Sequence, residues 1–227
     1  MIPTLTAESK PSFIAAADRI RMPVRGEDPA VLAEIFGEAV NIAIWQRSVS
    51  HELGDAASDI VAGKRALNIS MTVAWHDALD RLTDALGTDR RCLLSRDIAE
   101  LTEMFCFLLG IQRVGLRLAV LNGPMCPKFH VDRVPCRLIA TYQGAGTEWL
   151  AHEAVNRSKL GLGSDGRPDH ESGLYTSADA IEQLNCGDVA LMKGELWENN
   201  EGAGLVHRSP AVTDGVARLL LSLDVSA

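Results

Sequence analysis

Aromatic residues and positive charge are both scarce in this chain of 227 residues. Phe, Trp and Tyr make up 5% of the sequence, and 22 Lys and Arg face 30 Asp and Glu, for a formal net charge of −8. A surface of this charge repels phosphates, and few rings are available for stacking on bases. We therefore expect no binding to nucleic acid or to anionic membrane surfaces.

The sequence also lacks the cysteine pattern of a secreted domain. Its five cysteines are an odd number and include no Cys-x-x-Cys pair. No apolar segment of the signal-peptide type precedes the first Pro-rich residues, and no apolar run approaches the roughly 18 residues that a membrane span needs. A disulfide-stabilised secreted protein is therefore disfavoured, and we expect a cytoplasmic one.

The length and the hydrophobic content of 47% are typical of one domain with a sizeable core. We predict a single domain over residues 1–227. It would comprise an irregular arm over 1–27, a mostly helical support over 28–110 and a β-rich metal-binding core over 111–227. In the first half, apolar residues recur at helical spacing or alternate. These patterns predict helices at 28–36, 50–62, 75–86 and 91–109, and strands at 40–45 and 67–73.

The pattern of apolar residues changes after Gly110, from helical spacing to alternation. Many short strands separated by turn residues are typical of a β-sandwich or barrel, against which the helices would pack from outside. The alternation predicts strands at 114–120, 128–131, 137–142, 147–150, 188–192, 205–207 and 216–225. Residues 156–172 are rich in Gly, Ser, Asp and Arg, and we predict a long loop there that shapes a binding pocket.

His130 and Asp132 lie two residues apart on one of these predicted strands. Side chains at such positions point to the same side of a strand, so both can face one site. His207, on a later predicted strand, could add a second imidazole. Two histidines and one carboxylate with open positions are the ligand set of non-haem Fe(II) oxygenases. The alternative for a His-x-Asp pair is an exposed position on an edge strand.

Arg218 lies on the last predicted strand, just after Asp214-Gly215, a dipeptide typical of a two-residue hairpin turn. With that turn, His207 pairs with Ser222, and Arg218 pairs with Ala211 on the same face as His207, about 13 Å away. A small dicarboxylate bound to a metal at His207 could reach a guanidinium at that distance. The alternative is a solvated or salt-bridged surface arginine, and a turn one residue longer would reverse the faces.

His130-x-Asp132, His207 and Arg218 together resemble the HxD…H…R signature of the 2-oxoglutarate- and Fe(II)-dependent dioxygenases, over about the second half of the chain. The resemblance implies an α+β protein with a double-stranded β-helix core, a cupin-like jelly roll, and N-terminal helices packed outside. It implies that His130, Asp132 and His207 bind Fe(II) and that Arg218 binds the distal carboxylate of 2-oxoglutarate. Tyr142 would add a hydroxyl to the same carboxylate. The implied activity is oxygenation of a small molecule or a protein side chain.

The whole chain also resembles an uncharacterised bacterial family, a domain of unknown function linked by gene neighbourhood to zinc limitation. Three segments carry this resemblance: Lys128–Asp132, Thr141–Leu150 and Gly187–Glu195. It implies no specific activity.

Zinc is the alternative to iron. Cys126 and Cys136 flank the His-x-Asp motif at four residues on either side, and thiolates with imidazoles suit Zn²⁺. Glu148 could also reach the site, although buried thiols and strand-face carboxylates commonly have no such role. The rival function is a cupin-like zinc-handling protein without oxygenase activity, and a purely structural β-sandwich is third. Arg218 distinguishes them, because a zinc carrier has no need of a cation there.

Overall fold

The computed structural model of the chain describes residues 20–63, 67–89, 91–211 and 216–226. The α-helices in these residues are α1 (His51–Ala62), α2 (Ala78–Leu86), α3 (Arg91–Leu109) and α4 (Asp169–Ser172). The strands are β1 (Met22–Gly26), β2 (Val40–Trp45), β3 (Asn68–Ala74), β4 (Arg113–Leu121), β5 (Cys136–Gln143), β6 (Glu148–Leu150), β7 (Ile181–Gln183), β8 (Val189–Lys193), β9 (Val206–Arg208) and β10 (Arg218–Val225). None of the helices described is long and apolar enough to cross a lipid bilayer.

The helices begin at the capping residues that the sequence provides. Asp28 accepts a hydrogen bond from the Ala30 amide and starts a 3-10 helix at Pro29–Phe36, where a helix is predicted. Ser50 caps α1 through the Leu53 amide. Helix α3 has the predicted bounds, and Gly110 follows it with a φ of +65°, a conformation that glycine adopts without strain.

The described strands form two sheets. The large sheet has the order β1-β2-β8-β5-β10-β4-β3, and the small sheet has the order β7-β6-β9. All pairs are antiparallel except β1 with β2. A mixed α/β fold with a large sheet is thus confirmed, but within the described residues no ladder joins the two sheets into a closed barrel.

The large sheet buries apolar side chains on both faces, and each face packs against a different layer. One face contacts α1, α2 and α3 through a core that includes Ile98, Phe105, Leu116, Leu138 and Leu221. Because side chains alternate along a strand, the residues between them face the other way. The second face packs against Trp149, which is on β6 of the small sheet, and Leu205, which directly precedes β9. The residues of the large sheet in this separate cluster are Ile42, Ile44, Ile139, Ala190, Met192 and Leu220.

Several local predictions differ from the structure. Strand β1 lies within the predicted irregular arm. Its Pro-containing sequence gave no sign of a strand that pairs with β2. The predicted strand at 128–131 is reduced to a single bridge residue, His130. Strand β7 was not predicted, and the loop at 156–172 contains short helical turns and the whole of α4.

The predicted hairpin register is wrong. Asp214-Gly215 lies outside the described residues, but the strands on either side belong to different sheets. Strand β9 pairs with β6, whereas β10 lies between β4 and β5. Ser222 therefore pairs with Arg117 and Ile139 and not with His207.

Phe105 and Phe107 on α3 provide a matched test of the helix–sheet core. Phe105 is fully buried, while Phe107 is 86% exposed on the same helix. We expect Phe105→Ala to lower the free energy of unfolding by about 3–5 kcal/mol, because it removes apolar contacts and leaves a cavity. Phe107→Ala should change it by no more than about 0.5 kcal/mol. Urea unfolding of both variants measures the difference, and equal effects would contradict this packing.

Candidate metal centre

Two backbone hydrogen bonds place His130 beside His207. The amide of each residue donates to the carbonyl oxygen of the other over 3.0 Å, which makes an antiparallel bridge. Residues paired in this way project to the same face, so the two imidazole rings lie 4.6 Å apart between centroids. The predicted convergence of these histidines, which are 77 positions apart in sequence, is observed.

Asp132 completes the cluster. Its carboxylate oxygens lie 3.6 Å from the Nε2 atom of His130 and 3.2 Å from the Nε2 atom of His207. The three side chains can each offer a ligand atom so that all three atoms lie within 4.8 Å of one another. Asp132 and His207 are largely buried, and His130 is about one-third exposed, so the cluster opens to solvent on the His130 side.

The structure also fixes which imidazole nitrogen can bind a metal. The Nδ1 atom of His130 lies 3.0 Å from the Lys128 carbonyl oxygen, and that of His207 lies 3.3 Å from the Leu205 carbonyl oxygen. A carbonyl oxygen only accepts hydrogen bonds, so each Nδ1 carries the proton in the neutral ring. Each Nε2 therefore has a free lone pair directed at the shared site, as a metal ligand requires.

Arg137 holds the carboxylate of Asp132 in place. Its Nη1 atom donates to Asp132 over 2.6 Å, while its Nε and Nη2 atoms donate to Asp224 over 2.6 and 2.9 Å. Burial raises the pKa of Asp132, but the contacts with His130 and His207 and the charge of Arg137 hold it well below the usual range. Asp132 is therefore an anion at neutral pH, which suits a divalent cation.

The other predicted donors do not join the cluster. Cys136 is fully buried on the helix-covered face of the large sheet, and burial raises the pKa of its thiol to about 12. Cys126 is exposed and lies outside the set of converging ligand atoms. Glu148 accepts a hydrogen bond from the Nε atom of Arg208 over 2.6 Å. The structure thus provides two imidazoles and one carboxylate, with no thiolate among them.

Arg218 is a buried cation without a carboxylate partner in the described part of the chain. It is 1% exposed, and its Nε and Nη1 atoms have no hydrogen-bond partner there. Only Nη2 is engaged, with the hydroxyls of Thr141 and Thr147 at 3.4 Å each. Burial lowers the pKa of Arg218 to about 10 against a weaker opposing effect of the Glu148 charge, so the guanidinium remains charged at neutral pH. It faces the interior as predicted, although for a different reason than the hairpin register.

Arg218 and His207 face the same space between the two sheets. Leu220, two residues after Arg218, packs in the cluster between the sheets, so Arg218 projects to that side. Trp149 belongs to the same cluster and pairs directly with His207. Thr147, the hydroxyl partner of Arg218, lies two residues from Trp149, a distance of about 7 Å along extended chain.

The prediction that Tyr142 binds the same anion as Arg218 is wrong. Tyr142 alternates with Thr141 on β5 and projects to the opposite face, into the core beneath the helices. Its hydroxyl donates to Asp97 on α3 over 2.5 Å, and Asp97 also forms a bidentate ion pair with Arg47. Thr141 is the residue of β5 that reaches Arg218.

Sequence reasoning missed Thr141, Thr147 and Arg137. The two threonines share the strand parity of Ile139 and Trp149, which point between the sheets, so alternation could have identified their face. Arg137 gives no comparable signal, because an arginine at the start of a strand is most often solvated. It joins Asp132, five residues earlier, to Asp224, which is 87 residues later in the chain.

A family described as "Protein of unknown function (DUF1826)" matches residues 26–224. The match spans most of the chain, and the chain belongs to this family. None of the curated proteins matches it.

Solved structures of oxygenases resemble the fold at low sequence identity. A rice dioxygenase for auxin oxidation is 12% identical, with a TM-score of 0.49 over 92% of this chain and 83% of that one. An oxidoreductase of the 2OG-Fe(II) oxygenase family from Burkholderia pseudomallei is 13% identical, with a TM-score of 0.42 over 91% and 93% of the two chains. A Pseudomonas putida prolyl-4-hydroxylase is 10% identical, with a TM-score of 0.43 over 87% and 98%.

We expect His207→Ala and Asp132→Ala to abolish tight binding of Fe(II) and Zn²⁺. Arg137→Met keeps all three ligands but releases Asp132, and it should weaken binding by about 10–100-fold. His170→Ala is the matched control, since that imidazole is 68% exposed and lies outside the cluster. Anaerobic titration calorimetry measures each affinity, and an unchanged affinity in His207→Ala would contradict the site.

The buried charge of Arg218, which has no carboxylate in contact among the described residues, is expected to lower the stability of the ligand-free protein. We expect Arg218→Met to stabilise the ligand-free protein by about 1–4 kcal/mol, because an apolar side chain of similar length removes a buried charge. Arg47→Met should instead destabilise by about 3–5 kcal/mol, since it leaves Asp97 without its bidentate partner. Chemical unfolding in a buffer free of carboxylates and phosphate measures both. A similar loss in the two variants would show that Arg218 is compensated within the protein.

Proposed function

We propose that this member of the DUF1826 family is a non-haem Fe(II)- and 2-oxoglutarate-dependent oxygenase. The observation that carries the proposal is the buried guanidinium of Arg218, which has no carboxylate in contact among the described residues. It faces the same space between the sheets as the cluster of His130, Asp132 and His207. A metal-binding protein without a second anionic ligand has no use for such a cation, because burying it costs several kcal/mol.

The donor set fits a divalent iron. His130 and His207 would bind through Nε2 and Asp132 through a carboxylate oxygen, and three ligands from one side leave positions open for other molecules. Arg137 would fix the orientation of the carboxylate, and the carbonyl oxygens of Lys128 and Leu205 would fix the two rings. Zn²⁺ also accepts these ligands, so the metal alone does not define the function.

The surroundings of Arg218 fit the distal carboxylate of 2-oxoglutarate. The Nη1 atom has no partner, and Nη2 has only 3.4 Å contacts with the Thr141 and Thr147 hydroxyls. This pair of nitrogens can therefore grip a carboxylate in the bidentate manner, with the two hydroxyls beside it to complete the contacts. When both are bound, Fe(II) and 2-oxoglutarate supply the oxidising chemistry, in which O₂ is reduced and the 2-oxo acid is decarboxylated. The chain itself orients these groups and excludes water with Trp149 and Leu220.

The order of the strands supports a jelly-roll assignment for the β-rich half. Along the chain, β4 lies in the large sheet, His130 bridges to the small sheet, and β5 returns to the large one. Strands β6 and β7 lie in the small sheet, β8 in the large, β9 in the small and β10 in the large. Repeated passage between two facing antiparallel sheets is the arrangement of a double-stranded β-helix, as the resemblance implies.

The zinc-handling alternative has less support. It would gain most from thiolate ligands, and neither Cys126 nor Cys136 reaches the cluster. It also gives no reason for the space lined by Arg218 and two threonine hydroxyls. Binding of 2-oxoglutarate therefore separates the two functions.

We expect Arg218→Ala to weaken binding of 2-oxoglutarate by about 2–5 kcal/mol, because a desolvated carboxylate loses its charged partner. Arg218→Lys should restore part of the affinity, since an ammonium supplies the charge without the planar fork. Calorimetric titration of the Fe(II)-loaded protein without O₂ measures binding, and 2-oxoglutarate-dependent release of CO₂ under air measures turnover.

Tyr142→Phe is the matched control on the neighbouring residue of β5. It removes a hydroxyl from the opposite face of the sheet, so 2-oxoglutarate affinity should stay unchanged while stability falls by about 1 kcal/mol. Thr141→Val should weaken the same binding, because it removes a hydroxyl next to Arg218. An unchanged affinity in Arg218→Ala would refute the oxygenase proposal.

A further inference from the structure

A polar groove lies on the face of the large sheet opposite the helices. It has a volume of about 430 Å³ and is lined by residues of β3, β4, β5 and β10, with Met125 at one wall. Leu116, Leu221 and Leu223 are buried beneath the helices, so the side chains between them face this groove. Its polar character contrasts with the apolar cluster farther along the same face.

Strand register arranges the groove in two rows. In one row, Arg117 of β4 pairs directly with Ser70 of β3 and Ser222 of β10. In the other row, Gly115 pairs with Thr72 and Asp224. Because Gly115 has no side chain, the second row is depressed at its centre, which gives a ligand room to lie along the sheet.

The Arg117 guanidinium is available for a ligand. It is partly buried, and among the described residues it has no hydrogen-bond or ion-pair partner. The hydroxyls of Ser70 and Ser222 come from the two flanking strands and can both donate to an anion held by Arg117. A cation between two hydroxyl donors is a suitable site for a carboxylate or a phosphate.

Arg137 connects this groove to the candidate metal centre. It lines the groove and pairs with Asp224 across the strands, while its Nη1 atom contacts Asp132 at 2.6 Å. Arg117 is two strands and two residues away from Arg137, which corresponds to about 12 Å between their backbones. The groove therefore runs from Arg117 to Arg137, the residue that contacts Asp132, while His130, Asp132 and His207 lie outside its lining.

We infer that the groove binds the substrate, a small polar acid whose carboxylate or phosphate lies at Arg117, Ser70 and Ser222 and whose other end points along the groove toward Arg137 and the candidate metal centre. The inference rests on the proposed function in treating the bound molecule as substrate. The anion subsite itself follows from the groove and from Arg117 alone.

The test measures binding of two probes, N-acetylglycine for the carboxylate and glycerol 3-phosphate for the phosphate, to the full chain without metal or 2-oxoglutarate. Ligand-observed NMR titration at low salt should show that Arg117→Ala weakens the probe that binds by at least about tenfold, as loss of a charged hydrogen-bond partner predicts. Arg113→Ala is the matched control, because Arg113 is an exposed arginine on the same strand, outside the groove lining.

Gly115→Val provides a second, independent variant. A Cβ atom at Gly115 would meet nothing closer than the Asp224 Cβ atom and carbonyl oxygen at 3.9 Å, so the strand tolerates a side chain that then fills the groove. We expect it to abolish probe binding at unchanged thermal stability. Failure of both probes to bind, or equal binding in wild type, Arg117→Ala and Gly115→Val, would overturn the inference.

Binding of Fe(II) and 2-oxoglutarate to the same variants separates this inference from the proposed function. Arg117-dependent probe binding without any binding of 2-oxoglutarate would preserve the anion subsite and refute the oxygenase. Normal binding of 2-oxoglutarate through Arg218, without Arg117-dependent probe binding, would refute the groove alone.

Discussion

The antiparallel bridge between His130 and His207 is the contact on which the candidate site depends. Its two backbone hydrogen bonds join an otherwise irregular segment to the small sheet and place two imidazoles on one face. The other residues of the site lie close to this pair. Asp132 follows His130 by two residues, and Arg137, near the start of β5, holds the carboxylate of Asp132. Without the bridge, these hydrogen bonds would no longer hold the second imidazole beside the His-x-Asp motif.

In the large sheet, the alternation of side chains along each strand places core residues on one face and residues of the candidate site on the other. On β5, the residues that project toward the helices, including Leu138 and Tyr142, form or support the core. Their neighbours Arg137 and Thr141 project to the other side and contact Asp132 and Arg218. A shift of one residue in register would exchange the two sets, so the packing of the helices also fixes the site.

Sequence periodicity predicted most of the elements and the shared face of His130 and Asp132, because both depend on local spacing, whereas His207 was assigned through the resemblance of the HxD…H…R signature. The bounds of α3 and the same-face arrangement of His130 and Asp132 needed no knowledge of the tertiary fold. The register of β10 could not be predicted in this way. It is inserted between β4 and β5, over a hundred and about eighty residues earlier in the chain, and no local pattern encodes that choice. Arg218 was assigned to the interior through the hairpin register, which is wrong, and it faces the interior because it shares the parity of Leu220 on β10.

The central position of β10 also has a consequence for synthesis. It is made after the other nine strands of the described residues, and within these residues β4 and β5 are joined to each other only through it. A nascent chain that has just exposed β9 can already bring His207 toward His130, but its large sheet is still divided into two halves. Folding must therefore wait for the last strand to enter the middle, a slow, long-range step during which open strand edges are exposed to other chains. Such a late insertion of β10 would make the chain depend on chaperones during translation.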